Sequence, residues 1–383
     1  MKISVVGLGK LGLPLAETLA LRHAVSGFDL AARTSETVRI ASSLADACAD
    51  AELVLVALPT PHEAAYDGTA PTTNLPPRDF EYAPLTEVLE DADEAAAEGA
   101  PLAVVSTVLP GTTRRELAPH VTRRELLYTP AFMAMGRVRR DFLEPEFRLL
   151  GTESGDHGGG QAMQELWRSF DGAEPIHLVT WEEAEAVKIF YNVFISFKIA
   201  FANTVQDVAE RIGHVDADVV VAALSDATDR LLSTQYLKPG MGDGGPCHPR
   251  DLIAMRHFAA ELGLAYDLFG VIATAREAHA QRLADRLVSF DLPVLLTSRA
   301  YKPEVTYDDG SSALLLAHYV RAAGLEVRFL GDGALPDEPH AVLLVHDVDH
   351  AGVEFPAGSV VVDPWRRYAS DLHRVVHYGS TRP

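Results

Sequence analysis

Three glycines near the start of the chain mark its first candidate chemistry. Gly7, Gly9 and Gly12 spell GxGxxG, directly after the apolar run Lys2 to Val6 and directly before Leu13 to Leu21, whose spacing predicts a helix. In such a turn the first glycine makes the bend, the second lets a pyrophosphate approach the backbone, and the third lets helix pack on strand. The phosphates then sit at the positive end of the helix. Asp29 lies 17 residues after Gly12, at the end of a second expected strand, Ala24 to Phe28. A carboxylate there accepts hydrogen bonds from ribose hydroxyls and repels a 2′-phosphate, which selects NAD over NADP. The alternatives are a glycine turn that binds nothing and one that binds FAD.

Cys247 is the second candidate. It stands in KPGMGDGGPCHPRDL, and six of the eight positions before it are glycine or proline. Such a backbone can close on a ligand and hold a thiol exposed. His248 and Arg250 supply positive character that favours thiolate, and Asp251 follows four residues on. A structural role fits this cysteine equally well. Cys48, within ADACADA, reads as a small buried side chain.

The third candidate lies in EAVKIFYNVFISFKIAFAN, Glu185 to Asn203. Lys188 and Asn192 are four apart and share one face of an expected helix, a face otherwise apolar. A lysine and an amide projecting together can hold a hydroxyl or carbonyl oxygen and stabilise charge developing on it. The plain alternative is a lysine snorkelling from a buried helix. His346 and His350 in HDVDH have a metal-ligand spacing but directly follow the strand AVLLV, so they read as a solvated strand end and no metal site is expected. HGGG at 157–160 lacks a GxSxG partner and reads as loop. Arg137, Arg139 and Arg140 read as a solvated helix face.

These residues must be positioned by alternating elements. Apolar runs at Leu53 to Leu58 and Leu102 to Val105 follow the βαβ start, and strands alternating with helical stretches imply a parallel sheet. Pro59 to Pro77 reads as loop. Trp181 to Ile212 contains no proline or glycine and predicts one helix, roughly 45 Å long at 1.5 Å per residue. A second α/β pattern begins near Leu292. The expected fold class is α/β: two Rossmann-like parallel-sheet domains joined by a helical middle with one long helix. The expected boundaries are 1–178, 179–285 and 286–383.

Composition bounds the function. The chain has 383 residues, 54 acidic and 33 basic, for a net charge of −21. That excludes a nucleic-acid or anionic-membrane binder, either of which needs a basic face. Two cysteines 199 positions apart rule out a disulfide framework. The N-terminus lacks a signal peptide's build, and no apolar run is long enough to span a bilayer, so a cytoplasmic location is expected.

Taken together, the motifs GLGKLGLP at Gly7, Pro59-Thr60-Pro61, STVLPGTT from Ser106, EAVKIFYN up to Asn192, GGPCHPRD around Cys247, YKP at Tyr301 and VDP at Val362 resemble those of the nucleotide-sugar 6-dehydrogenases. These are the UDP-glucose, UDP-N-acetylmannosamine and GDP-mannose dehydrogenases. The resemblance runs over the whole chain. It implies an NAD-binding first domain, a dimer-forming helical middle and a last domain that holds the nucleotide sugar. The implied reaction is a four-electron oxidation of the sugar's C6 alcohol to a carboxylate with two NAD, the UDP-hexose type being favoured. Cys247 would form a thiohemiacetal and then a thioester. Lys188 would stabilise oxyanions, and Asn192 and Asp251 would orient water and substrate. Leu11, Thr60 and Thr107 match cofactor contacts beside the glycines and Asp29. Phe132, Arg230, Tyr236, Gly244 and Lys302 match substrate contacts, Arg230 being one residue farther from the cysteine than the family's subunit-crossing arginine. A homodimer is the implied assembly.

Several positions depart from the family. Its glutamate after the proline of the PEF-type motif falls on Ala131, and an acidic residue four positions later falls on Met135. The first is the family's candidate general base, help typically worth about 10² to 10⁴ in rate. An arginine expected for the cofactor phosphates falls on Asp309. The stretch between Asp29 and Thr60 is shorter than the family's. Two further outcomes therefore stand beside the working dehydrogenase: an enzyme that stops at the aldehyde or the thioester, and a non-catalytic nucleotide-sugar-binding homologue. A 3-hydroxyacid dehydrogenase would share the first motif and the long helix, but it would leave GGPCHPRD and the last domain unexplained.

Overall fold

A computed structural model describes residues 1–60, 79–133, 137–156, 159–170, 175–212, 214–233, 239–243, 249, 256, 259–303, 308, 310–333, 337–350 and 352–379. The contacts gather into two units, Met1–Ile199 and Ala200–Pro383.

In the first unit the strands are β1 (Lys2–Val6), β2 (Ala24–Phe28), β3 (Arg39–Ile40), β4 (Leu53–Val56), β5 (Leu102–Val104), β6 (Leu126–Tyr128), β7 (Arg148–Thr152) and β8 (Ile176–Thr180). They form one sheet in the order β3-β2-β1-β4-β5-β6-β7-β8. Strand residues alternate between two cores. Ile3, Val5, Leu53, Leu55 and Ala103 pack on one face, and Val6, Val54, Val56, Leu102 and Val104 on the other. Both faces are apolar because helices cover both, which is why the strands read as continuous apolar runs.

The helices are α1 (Gly12–Leu19), α2 (Leu44–Cys48), α3 (Ala83–Ala95), α4 (Val138–Leu143), α5 (Gln161–Arg168) and α6 (Trp181–Ile212), with a π-helical turn at Thr113–Leu117. Ser43 caps α2 by accepting from Asp46 N at 3.1 Å. Cys48 ends α2 and is fully buried, as expected.

The sheet departs from the all-parallel expectation at one joint. β6 pairs β7 antiparallel, Tyr128 opposite Gly151, and β8 then runs parallel to β7. The chain leaves β6 at its carboxyl end, makes α4 and re-enters at the same edge, so no crossover is required. The amino ends of β7 and β8 therefore share an edge with the carboxyl ends of β1, β4, β5 and β6. α6 starts from the other edge, where Trp181 Nε1 donates to Leu126 O at 3.2 Å. It packs close enough that a Cβ on Gly151 would stand 2.9 Å from the Ala184 methyl. Seven residues from Trp181 to Lys188 climb about 10 Å, toward the edge that carries the glycine turn.

In the second unit, β9 (Val294–Leu296), β10 (Val327–Phe329), β11 (Ala341–Leu343), β12 (Val360–Asp363) and β13 (Arg374–His377) form a parallel sheet in the order β10-β9-β11-β12-β13. Helices Leu268–Val288 and Ser312–Ala322 supply Leu283, Leu287, Leu316 and Val320 to the core on Val294, Leu296 and Leu343. α7 (Ala217–Ser225) begins at Asp216, whose side chain accepts from Asp218 N at 2.9 Å.

Candidate active site

The strand order of the first sheet reverses between β1 and β4, and ligands of open α/β sheets bind outside the carboxyl ends at such a point. The glycine turn follows β1 there. Gly7 has φ +92° and donates its N–H to Phe28 O at 2.8 Å, and a Cβ on it would come within 2.7 Å of Ala57 O. A Cβ on Gly12 would overlap the Gly7 carbonyl oxygen. A Cβ on Gly9, in contrast, meets no heavy atom within 4 Å. Two glycines thus build the turn, and the third opens it. Leu11, before the first residue of α1, offers no side-chain cap, and the first turn of α1 holds no acid, so its amide end remains electropositive.

Asp29 follows β2 and faces the turn. Its Oδ2 accepts from Leu8 N and its Oδ1 from Ala31 N, both at 2.8 Å, with Arg33 Nη2 at 3.6 Å. Thr60 Oγ1 donates to Thr107 O at 2.8 Å, and Ser106 Oγ to Leu58 O at 2.6 Å, which ties the segment after β4 to the segment after β5. An open glycine at an uncapped helix end, with a carboxylate fixed at the end of β2, fits a dinucleotide. Gly7, Gly9, Leu11, Gly12, Asp29, Thr60 and Thr107 would hold it.

Beside this edge, Lys188, Tyr191 and Asn192 of α6 line a cavity of about 370 Å³ with Phe132, Met133, Arg137, Asp141, Glu144, Glu146 and Phe147. Lys188 is buried, and its Nζ lies 5.1 Å from the centre of the Phe132 ring. That ring packs 4.8 Å from Phe147 and 5.0 Å from Tyr191, centre to centre. Burial pulls the Lys188 ammonium below the usual lysine range, and no charged neighbour among the described residues opposes that shift. Three residues earlier, the fully buried Glu185 accepts from Gly111 N at 2.5 Å and Thr113 N at 2.6 Å. Burial pushes its carboxyl up, and these donors pull it back. α6 is thereby clamped to the PGTT turn one helical turn below Lys188.

Lys188 and Asn192, which the spacing puts on one helix face, line one cavity together with Phe132. The sequence reading missed Tyr191, Glu146, Phe147 and Glu185. Tyr191, three residues after Lys188, carried a helical-face signal that could have found it. Arg230 is exposed. Lys302 follows β9, its Nζ 5.2 Å from the Tyr301 ring centre. Tyr236, Gly244, Cys247, Asp251, Met135 and Asp309 lie outside the described residues. Arg137 and Arg140 pair with Asp141 at 3.2 Å and Glu144 at 3.5 Å. His346 and His350 line a cavity of about 350 Å³ with Asp363, Trp365, Arg367 and Tyr368. No metal-holding group of three ligands occurs among the described residues.

Residues 182–278 match the model described as UDP-glucose/GDP-mannose dehydrogenase family, central domain. UDP-glucose 6-dehydrogenase TuaD of Bacillus subtilis strain 168 is 25% identical over 218 residues, which cover 56% of this chain and 46% of that protein. UDP-glucose 6-dehydrogenase of Pseudomonas aeruginosa is 26% identical over 354 residues, 85% of this chain and 74% of that one. The chain therefore spans about half the length of the first relative and three quarters of the second. The crystal structure of a ternary complex of GDP-mannose dehydrogenase from Pseudomonas aeruginosa superposes with a TM-score of 0.83 at 21% identity, covering 98% of this chain and 99% of that one, and shows the same fold.

Proposed function

We propose that the chain is a member of the UDP-glucose/GDP-mannose dehydrogenase family and that it oxidises the C6 hydroxyl of a nucleotide sugar, of the UDP-hexose type, to the uronate with NAD. The observation that carries this reading is the Lys188–Asn192 cavity, built at the sheet edge that also presents the glycine turn. NAD supplies the hydride acceptor for each of two oxidations. The chain's own residues do the rest. Lys188, a cation stripped of much of its solvent, stabilises oxygen that becomes negative as the C6 proton departs, and Asn192 donates its amide to the same oxygen. Cys247 adds as thiolate to the aldehyde and carries the acyl group as a thioester until water cleaves it, with Asp251 orienting that water. Phe132 closes one wall. Arg230, Tyr236, Gly244 and Lys302 hold the nucleotide portion.

The exposed side chains Phe190, Val193, Phe194, Phe197 and Phe201 of α6 suit burial against a second copy, which favours a homodimer. No described helix is long and apolar enough to cross a membrane. Supplying UDP-sugars or GDP-mannose with NAD should yield two NADH per uronate. Absence of NADH with every one of them overturns the reading. Ala131, which puts a methyl where the family carries its glutamate, favours a second outcome in which the enzyme stalls at the Cys247 thioester. Intact mass after one turnover would then show a persistent acyl adduct.

A further inference from the structure

Glu185 begins the run EAVK that ends at Lys188. Its carboxylate is fully buried, and the chemistry proposed above makes no use of it. Both oxygens are taken by the turn that follows β5: Oε2 accepts from Gly111 N at 2.5 Å and Oε1 from Thr113 N at 2.6 Å. A buried anion is costly unless such donors hold it, so the turn and the carboxylate depend on each other. The helix does not depend on them. Trp181 Nε1 fixes its start to Leu126 O, and Thr180 and Glu183 cap it reciprocally, Thr180 N donating to Glu183 Oε2 at 2.9 Å and Glu183 N to Thr180 Oγ1 at 3.3 Å. What Glu185 holds in place is therefore the turn. The segment that ends in this turn starts at Ser106 and Thr107, where it is tied to the segment after β4. Between the two ends, Val108 N and Leu109 N meet the Tyr128 and Tyr82 hydroxyls at 3.4 Å each, long bonds beside the two short ones to Glu185.

We propose that Glu185 is a positioning residue of the dinucleotide site: by holding Gly111 and Thr113 against α6 it sets the segment whose Thr107 would border the cofactor. The inference rests on the dinucleotide part of the function proposed above and involves residues of the first unit alone. Its consequence is a cofactor affinity that depends on one proton. A protonated carboxyl keeps one acceptor oxygen and makes the other a donor, which then faces an N–H, so one of the two amides loses its partner. Burial lifts the proton affinity of Glu185 above the usual glutamate range, the Glu182 charge adds to it, and the donors of the turn offset part of the rise. The charged and titratable neighbours keep their states on mild acidification. Arg114 of the turn pairs with Glu182 of α6, which raises the arginine and lowers the glutamate, and burial keeps the Tyr128 hydroxyl of β6 protonated.

The test is calorimetric titration with NAD between neutral and mildly acid pH, beside thermal melts without ligand. The wild type should bind at least about tenfold more weakly at the acid end, the worth of one hydrogen bond to a charged group. Glu185→Gln offers an acceptor to one amide only and carries no titratable proton. It should bind at neutral pH about as weakly as the acidified wild type, with an affinity that stays flat over the interval. Glu185→Asp keeps the charge but is one methylene short, so it should bind weakly and retain the acid limb. A merely structural role would lower the melting temperature of the variants and leave the acid limb in both. If Glu185→Gln shares the wild-type affinity or pH profile, the assignment is overturned and the dinucleotide reading stands. If Glu185→Gln does not fold, the wild type decides: an affinity that does not fall on acidification overturns the assignment. A wild type that binds no NAD at any pH overturns both.

Discussion

Lys188 concentrates the site's electrostatics in one atom. It is buried against Phe132, and burial alone depresses its proton affinity. A cation whose folded pKa is lowered costs the fold stability wherever it stays charged. That cost is complete below the folded value, and it disappears as pH rises from there to the unfolded value near 10.5. Lys188→Met fills the same space without charge. We expect this variant to melt higher than the wild type at pH 7 and the gain to shrink as pH approaches 10.5, while turnover falls about 10² to 10³, the usual loss for an oxyanion donor. Thermal melts at several pH values and steady-state rates check both halves. A variant that melts lower at pH 7 would mean the ammonium stabilises the fold through a partner. At this scale the lysine and amide were legible because four-residue spacing is a local signal. Glu146 was not: 45 positions separate it from Tyr191 in the sequence, and only the reversal of β7 brings the two together.

At the scale of elements, the glycine turn divides into positions that build it and one that serves a ligand. Gly12→Ala forces a methyl into the Gly7 carbonyl, so either the start of α1 or the end of β1 must shift. Gly9→Ala meets open space and a backbone of ordinary φ. We therefore expect Gly9→Ala to keep its stability within about 0.5 kcal/mol and to bind NAD at least about tenfold more weakly, whereas Gly12→Ala lowers the melting temperature before any ligand is added. Fluorescence titration with NAD, beside melts without it, separates the two. Equal loss of stability in both variants would contradict the division. The elements that the sequence announced are those with a pure pattern: β1, β2, β4, β5 and the whole of α6, whose observed ends Trp181 and Ile212 are the expected ones. β3, β6, β7, β8 and β13 escaped notice because they are short or carry a polar residue, such as Arg148 in β7 and His177 in β8. Arg148 is nevertheless buried, between the rings of Phe142 and Trp167. Such stacking covers an arginine well enough to satisfy a core position, and no periodicity rule detects it.

For the whole molecule, the contacts gather into two units, Met1–Ile199 and Ala200–Pro383, and each is built on a sheet of its own. The family match over 182–278 lies within the expected middle, 179–285, and crosses the division between the two units. The proposed function asks a chain of net charge −21 to bind two diphosphates. In the proposed function local devices would supply the attraction: the uncapped amide end of α1, Lys188 and Lys302 would act over a few ångströms, whereas the excess of carboxylates acts over the distance salt permits. That distance is about 30 Å at 0.01 M and about 8 Å at 0.15 M. Raising ionic strength across this interval should therefore remove long-range repulsion faster than it weakens contacts inside the site. Association of NAD and of the nucleotide sugar should quicken severalfold, the opposite of what a basic site shows. Stopped-flow fluorescence of the three tryptophans at a series of salt concentrations measures it. A rate that falls with salt would mean that the local cations govern approach as well as binding, and that the acidic surface lies turned away from the path of the ligand.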